Sequence, residues 1–145
     1  MFIFYYAVLS EVSPPTALSA FAAAAITGGD GFRTMMLLMR YTAPAFLVPF
    51  AFVLTENGQG LLLQGGLETI ALAFVVSALA VCGLGVALGG WLRGHVPLPL
   101  RLLFGAGSVV LLYLEPLWIG IGLAALGVAL ALQLAVSRRG SRAAA

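Results

Sequence analysis

The sequence predicts an all-α integral membrane protein, and three observations predict it. Only 8% of the 145 residues are charged and 62% are hydrophobic, whereas a soluble domain carries about a quarter charged residues. The apolar residues gather into five stretches at or near the ~20 residues that a membrane helix needs, which sets a ceiling of roughly four or five spans. All seven basic residues are arginines confined to three places along the chain. Together these give a broken membrane helix, an interfacial amphipathic helix and about four further membrane helices.

The first stretch, residues 2–27, is interrupted from Ser10 to Pro15 by "SEVSPP". Two successive prolines remove two backbone donors, and each pushes the residue before it out of the helical region, so the ladder must open near Ser10 to Ser13. Met1 leads straight into "FIFYYAVLS", without a basic n-region or a small-residue cleavage site, which is not the pattern of a signal peptide. A chain that opens in mid-segment reads as a fragment or as a mis-set start. Phe2, Phe4, Tyr5 and Tyr6 read as packing or belt aromatics.

After the "TGGDG" turn, Asp30 is placed as a helix N-cap. Phe32, Met35, Met36 and Met39 follow at i, i+3, i+4 and i+7, with Arg33 and Arg40 on another face. That is the pattern of an interfacial helix, 31–40, before a span at 41–55. Residues 56–66 form a loop, and the segment 67–137 holds about three spans, at 67–92, 99–114 and 116–137. The last two are separated only by Glu115-Pro116, a tight reversal or a kink, and proline is suited to the first turn of a helix. The 99–114 stretch is short for a crossing and would have to be tilted, thin or supported.

Arg33 and Arg40, then Arg93 and Arg101, then Arg138, Arg139 and Arg142 mark the cytoplasmic side under the positive-inside rule. Residues 56–66 and the Glu115 turn therefore face outward, and 138–145 is a cytoplasmic tail. Trp91, Tyr113 and Trp118 stand at span ends, as belt aromatics do. Gly85 and Gly89, four residues apart, permit close helix contact.

Composition also excludes chemistry. The lone Cys82 allows no disulfide within the chain, and the lone His95, among Arg93, Pro97 and Arg101, is a loop residue and not a metal ligand. No pair of residues makes a nucleophile and base, so no enzyme is expected, and the charge density is too low for nucleic-acid binding. What remains is the break. Glu11 costs ~2.5–3.5 kcal/mol if it faces lipid, so it should face protein or water. Freed carbonyls, with the hydroxyls of Ser10, Ser13 and Thr16, are hard oxygen ligands for Na⁺ of the kind that discontinuous transporter helices supply. A proline kink satisfied by neighbouring helices accounts for the same residues.

The run "FYYAVLSEVSPPTALSAFAAAAITGGDGFRTMMLLMRYTAPAFLVPFAFV" resembles the C-terminal part of the large membrane subunit of TRAP transporters, closest to the fused permeases served by TAXI-type binding proteins. The features that carry it are the aromatic-rich short helix, the break before "TAL", the Ala-rich half helix, the Gly/Asp turn and the "FLVPFAFV" span, over roughly residues 2–55; the match over 67–137 is weaker. The resemblance implies a Na⁺-driven importer in the bacterial inner membrane. It would receive a carboxylate-bearing solute from a periplasmic solute-binding protein and work only with the remainder of the permease. It also implies that Ser10, Val12, Ser13 and Thr16 serve Na⁺, while Glu11, Pro14 and Pro15 belong to the substrate and coupling region. The family commonly has threonine before the proline pair where this chain has Ser13, which keeps the hydroxyl and loses the methyl group. The competing expectation is a small helical assembly or scaffold subunit that binds a partner through its glycine faces.

Overall fold

The computed structural model describes residues 1–14 and 16–143, with side chains as far as Val136. Every regular element among the described residues is helical: α1 (Phe2–Leu9), a 3₁₀ turn (Ser10–Val12), α2 (Leu18–Thr27), α3 (Gly31–Leu54), a second 3₁₀ turn (Asn57–Leu62), α4 (Leu67–Gly89), α5 (Leu98–Leu111) and α6 (Pro116–Ala143). Among the described residues three helices are long and apolar enough to cross a membrane: α3, α4 and α6 over Pro116–Val136. The chain divides into two compact units, Met1–Phe50 and Ala51–Ala145.

In the first unit the chain leaves the helix where the sequence requires it to. Ser13 is extended, at φ −122° and ψ 154°, the conformation that a following proline imposes. Ala17 then takes a left-handed conformation, φ 42°, which costs a non-glycine residue roughly 1–2 kcal/mol. It is fully buried and packs with Ala20 and Met35, flanked by Leu38. Gly28, at φ 70°, closes α2 in the left-handed form that glycine adopts without penalty. Asp30 Oδ1 accepts from the Arg33 backbone N–H at 2.8 Å, so the expected N-cap forms.

The expected interfacial segment 31–40 and span 41–55 are continuous: α3 is one helix from Gly31 to Leu54. The Arg-Tyr-Thr step from 40 to 42 contains no breaker, and Thr42 Oγ1 ties back to the Leu38 carbonyl at 2.8 Å. Pro44 and Pro49 lie inside the helix, each removing one ladder donor. Both rings are buried, so neighbouring packing holds the helix across them. Of the expected apolar stripe only Met35 is buried; Phe32, Met36 and Met39 are exposed.

In the second unit α5 packs against both α4 and α6, and the second 3₁₀ turn packs on α4. The helices end where glycine and proline set them: Gly90, φ 71°, closes α4 three residues before Arg93, and Pro116 opens α6. The predicted stretches 67–92 and 99–114 are therefore trimmed to Leu67–Gly89 and Leu98–Leu111, the latter only 14 residues. Phe104 of α5, with Leu100, Val96 and Ala129, forms a buried cluster.

The α5–α6 crossing is close because of Gly107 and Gly122. A Cβ on Gly122 would lie 2.6 Å from Leu111 Cγ, and one on Gly107 would lie 3.0 Å from Ala125 Cβ. Gly83 of α4 performs the same service for α5, where a Cβ would lie 2.1 Å from Ser108 Oγ. Gly85 and Gly89, expected to form a contact face, meet open space instead. Position 83 faces α5, and helical rotation carries 85 roughly 200° away from it.

Candidate functional site

The break between α1 and α2 is a small knot of hydrogen bonds made by serine, threonine and freed carbonyls. Ser10 Oγ donates to the Ala7 carbonyl at 2.7 Å. The Ser10 carbonyl accepts from the Ser13 N–H at 3.3 Å and from the Thr16 hydroxyl. Thr16 Oγ1 also lies 3.4 Å from the Ser13 carbonyl oxygen, which takes the Ala17 N–H at 2.9 Å. In the first turn of α2, Ser19 Oγ donates to the Glu11 carbonyl at 2.8 Å.

This arrangement follows from the sequence. The proline pair removes the donors that would have satisfied the carbonyls at the end of α1, and short hydroxyl side chains just beyond the break replace them. Of the residues singled out for a cation, Ser10, Ser13 and Thr16 come together: two carbonyl oxygens and one hydroxyl oxygen converge on a few ångströms. Val12 closes the 3₁₀ turn beside them, half-buried. The Glu11 side chain is exposed, and so is Pro14, while Pro15 lies outside the described residues. Glu11 contributes to the knot through its main-chain oxygen and not its carboxylate, because the 3₁₀ turn directs its side chain outward.

Oxygens of this kind are hard ligands. Once a hydroxyl has donated its proton it retains acceptor lone pairs, and a carbonyl with one hydrogen bond retains a second. Ser19 is the member that sequence reading missed. Its signal was available: a hydroxyl eight residues after Glu11, on the first turn of the half helix, is in reach of a carbonyl released by the break.

The aromatic cluster of α1 divides. Tyr6 donates its hydroxyl to the Phe46 carbonyl and stacks obliquely on Phe2, at 4.9 Å between ring centroids. Phe50 meets the ring of Phe2 edge-on at 5.5 Å. Phe4 is exposed.

In the second unit polar side chains fix the loops. Asn57 Nδ2 donates to the Leu114 carbonyl at 3.0 Å, which brings the two arginine-free connections to one end of the helices. At the other end Gln133 Nε2 reaches the carbonyls of Leu92 and His95, at 3.3 and 3.5 Å. Arg101 Nε and Nη2 donate to the carbonyls of Ala87 and Leu88, at 2.8 and 3.2 Å, capping the C-terminus of α4. A cation there complements the negative end of the helix. His95 is exposed, with Trp91 beside it in an isolated antiparallel bridge. Cys82 is exposed, and among the described residues no group of three metal-ligating side chains comes together.

Comparison of the chain with protein-family models, with characterised proteins and with solved structures gives no match.

Proposed function

We propose that the chain is part of a Na⁺-coupled secondary transporter of the TRAP permease type, with the α1–α2 break supplying part of the cation path. The observation that supports this reading is the convergence of the Ser10 carbonyl, the Ser13 carbonyl and Thr16 Oγ1 at a proline-broken apolar helix. Irregular backbone at membrane depth is tolerated only where it is buried in protein or lines a cavity. Transporters use such breaks to carry ions and substrate.

In this reading Na⁺ is cargo. Its arrival draws on lone pairs that the knot already gathers, and the remaining ligands come from the rest of the permease. The solute is a carboxylate-bearing molecule delivered by a periplasmic solute-binding protein, and the Na⁺ gradient across the bacterial inner membrane drives uptake. Thr16→Ala in the assembled permease, which removes the one side-chain oxygen among the three that converge, should raise the Na⁺ concentration for half-maximal uptake several-fold, while Ser13→Ala, which keeps its carbonyl, should change it less. Uptake with unchanged Na⁺ dependence in Thr16→Ala overturns the assignment.

A second reading, a membrane assembly subunit, is favoured by a different observation: Gly85, Gly89, Gly120 and Gly127 face open space. Small residues on an open helix face let another helix approach closely. An immunoblot of native membranes with antibody against "SRRGSRAAA" separates the two. A band several times heavier than 15.0 kDa supports the permease, and one near that mass supports the subunit.

A further inference from the structure

A groove of about 460 Å³ runs between α4 and α5, lined by Leu84, Leu88, Leu98, Leu102 and Val109, with Arg101 its one charged side chain. Arg101 stands toward the end of the groove where the Gly90–Pro97 connection turns, and it is half-buried. Its two hydrogen bonds go to main-chain carbonyls of α4. The guanidinium lies against Gly90, where a Cβ would come within 3.1 Å of Nη1.

A guanidinium has five N–H donors in a fixed fork. With Nε and one Nη2 donor engaged, the Nη1 and Nη2 edge keeps donors in the geometry that grips a phosphate with two parallel bonds. The α4 terminus offsets only about half an elementary charge. A half-buried cation in the wall of an apolar groove is stabilised by an anion that brings apolar bulk with it. Arg93, exposed in the same connection, adds positive charge.

We propose that the α4–α5 groove binds an anionic phospholipid, its phosphate held by Arg101 and one acyl chain lying along the leucines. The occupant follows from the charge of the site and from the helices on either side of the groove, whose outer faces are apolar. The proposal rests on the chain residing in a membrane and is independent of transport.

Trp91 is 70% exposed and adjoins Gly90, so it reports on the site. With Trp118→Phe it becomes the chain's sole tryptophan. The full chain in dioleoylphosphatidylcholine vesicles should show Trp91 quenched by brominated phosphatidylglycerol at about tenfold lower mole fraction than by brominated phosphatidylcholine. Arg101→Gln should bring the two lipids to parity. Gly105→Phe keeps Arg101 and places a ring in the groove. The Cβ itself fits, 3.6 Å from Ala87 Cβ, so this variant decides the matter should Arg101→Gln fail to fold, and it too should reach parity. Equal quenching by the two lipids in the parent chain, or a preference that persists in the folded variants, overturns the proposal. So does loss of the preference on adding inorganic phosphate, which would assign Arg101 to a free anion.

Discussion

Gly83 and Ser108 should behave as a coupled pair, and the sign of each step follows from the α4–α5 contact. A methyl group at position 83 would sit 2.1 Å from Ser108 Oγ and 3.0 Å from Leu126 Cδ2. The leucine tip can swing away, but the serine hydroxyl must change rotamer in a fully buried site. Overpacking of this kind costs about 1–3 kcal/mol, while replacing a helical glycine with alanine returns up to about 1 kcal/mol. Gly83→Ala alone should therefore cost about 0–2 kcal/mol. Ser108→Ala removes a buried hydroxyl without a hydrogen-bond partner and should fall within about 1 kcal/mol of neutral or on the stable side. In the double variant the clash has no oxygen to meet, and Gly83→Ala should become neutral or stabilising, a coupling of about 1–3 kcal/mol. Equilibrium unfolding in mixed detergent micelles, followed by tryptophan fluorescence, measures all four corners. Additive effects, or a larger penalty for Gly83→Ala in the Ser108→Ala background, would refute the contact as the reason for the glycine.

Gly122→Val should destabilise the α5–α6 crossing by at least about 1–3 kcal/mol, since even its Cβ meets Leu111 at 2.6 Å; the same unfolding measurement reads it. Asp30→Ala should cost about 1 kcal/mol through loss of the bond to the Arg33 N–H, and Asp30→Asn much less. Gln133→Leu removes both anchors of the 90–97 connection and also an unpartnered buried oxygen. Global stability should accordingly change little while amide exchange at 91–96 accelerates; unchanged exchange there would remove Gln133 as the anchor. Thr16→Ala withdraws a hydrogen bond from the Ser10 carbonyl, worth about 1 kcal/mol, and should raise exchange of the Ser13 amide, measured by hydrogen–deuterium exchange.

Local chemistry was legible. The proline pair announced the break, Asp30 announced a helix start, and Pro116 and Gly28 mark ends that the helices adopt, whereas Gly90 ends α4 inside the stretch 67–92 that the sequence predicts. Continuity of α3 was not, because the arginine-bearing amphipathic stretch reads locally as an interfacial helix and the apolar stretch after it as a span, whereas one helix runs through both with Pro44 and Pro49 buried inside it. The working glycines were also illegible. Gly83, Gly107 and Gly122 differ from Gly85 and Gly89 only in what stands opposite them, which depends on helix rotation and pairing. Arg101 carried a topological meaning in the sequence and gained a structural one, as a cap on carbonyls 13 and 14 residues before it. At the break the donors and acceptors were foreseen, but their mutual satisfaction, Ser19 included, required the backbone path through the left-handed Ala17.

The brevity of α5 reaches beyond the protein itself. Its 14 residues rise about 21 Å, against a hydrocarbon core of about 30 Å, while α4 and α6 on either side are long enough for the whole core. A bilayer matched to the flanking helices overshoots α5 by roughly 9 Å, at a fraction of a kcal/mol for each ångström. Were the chain to sit in a bilayer with α5 crossing it, this mismatch would favour thin membranes, and in one of mixed thickness the chain should partition laterally into the shorter-chained regions.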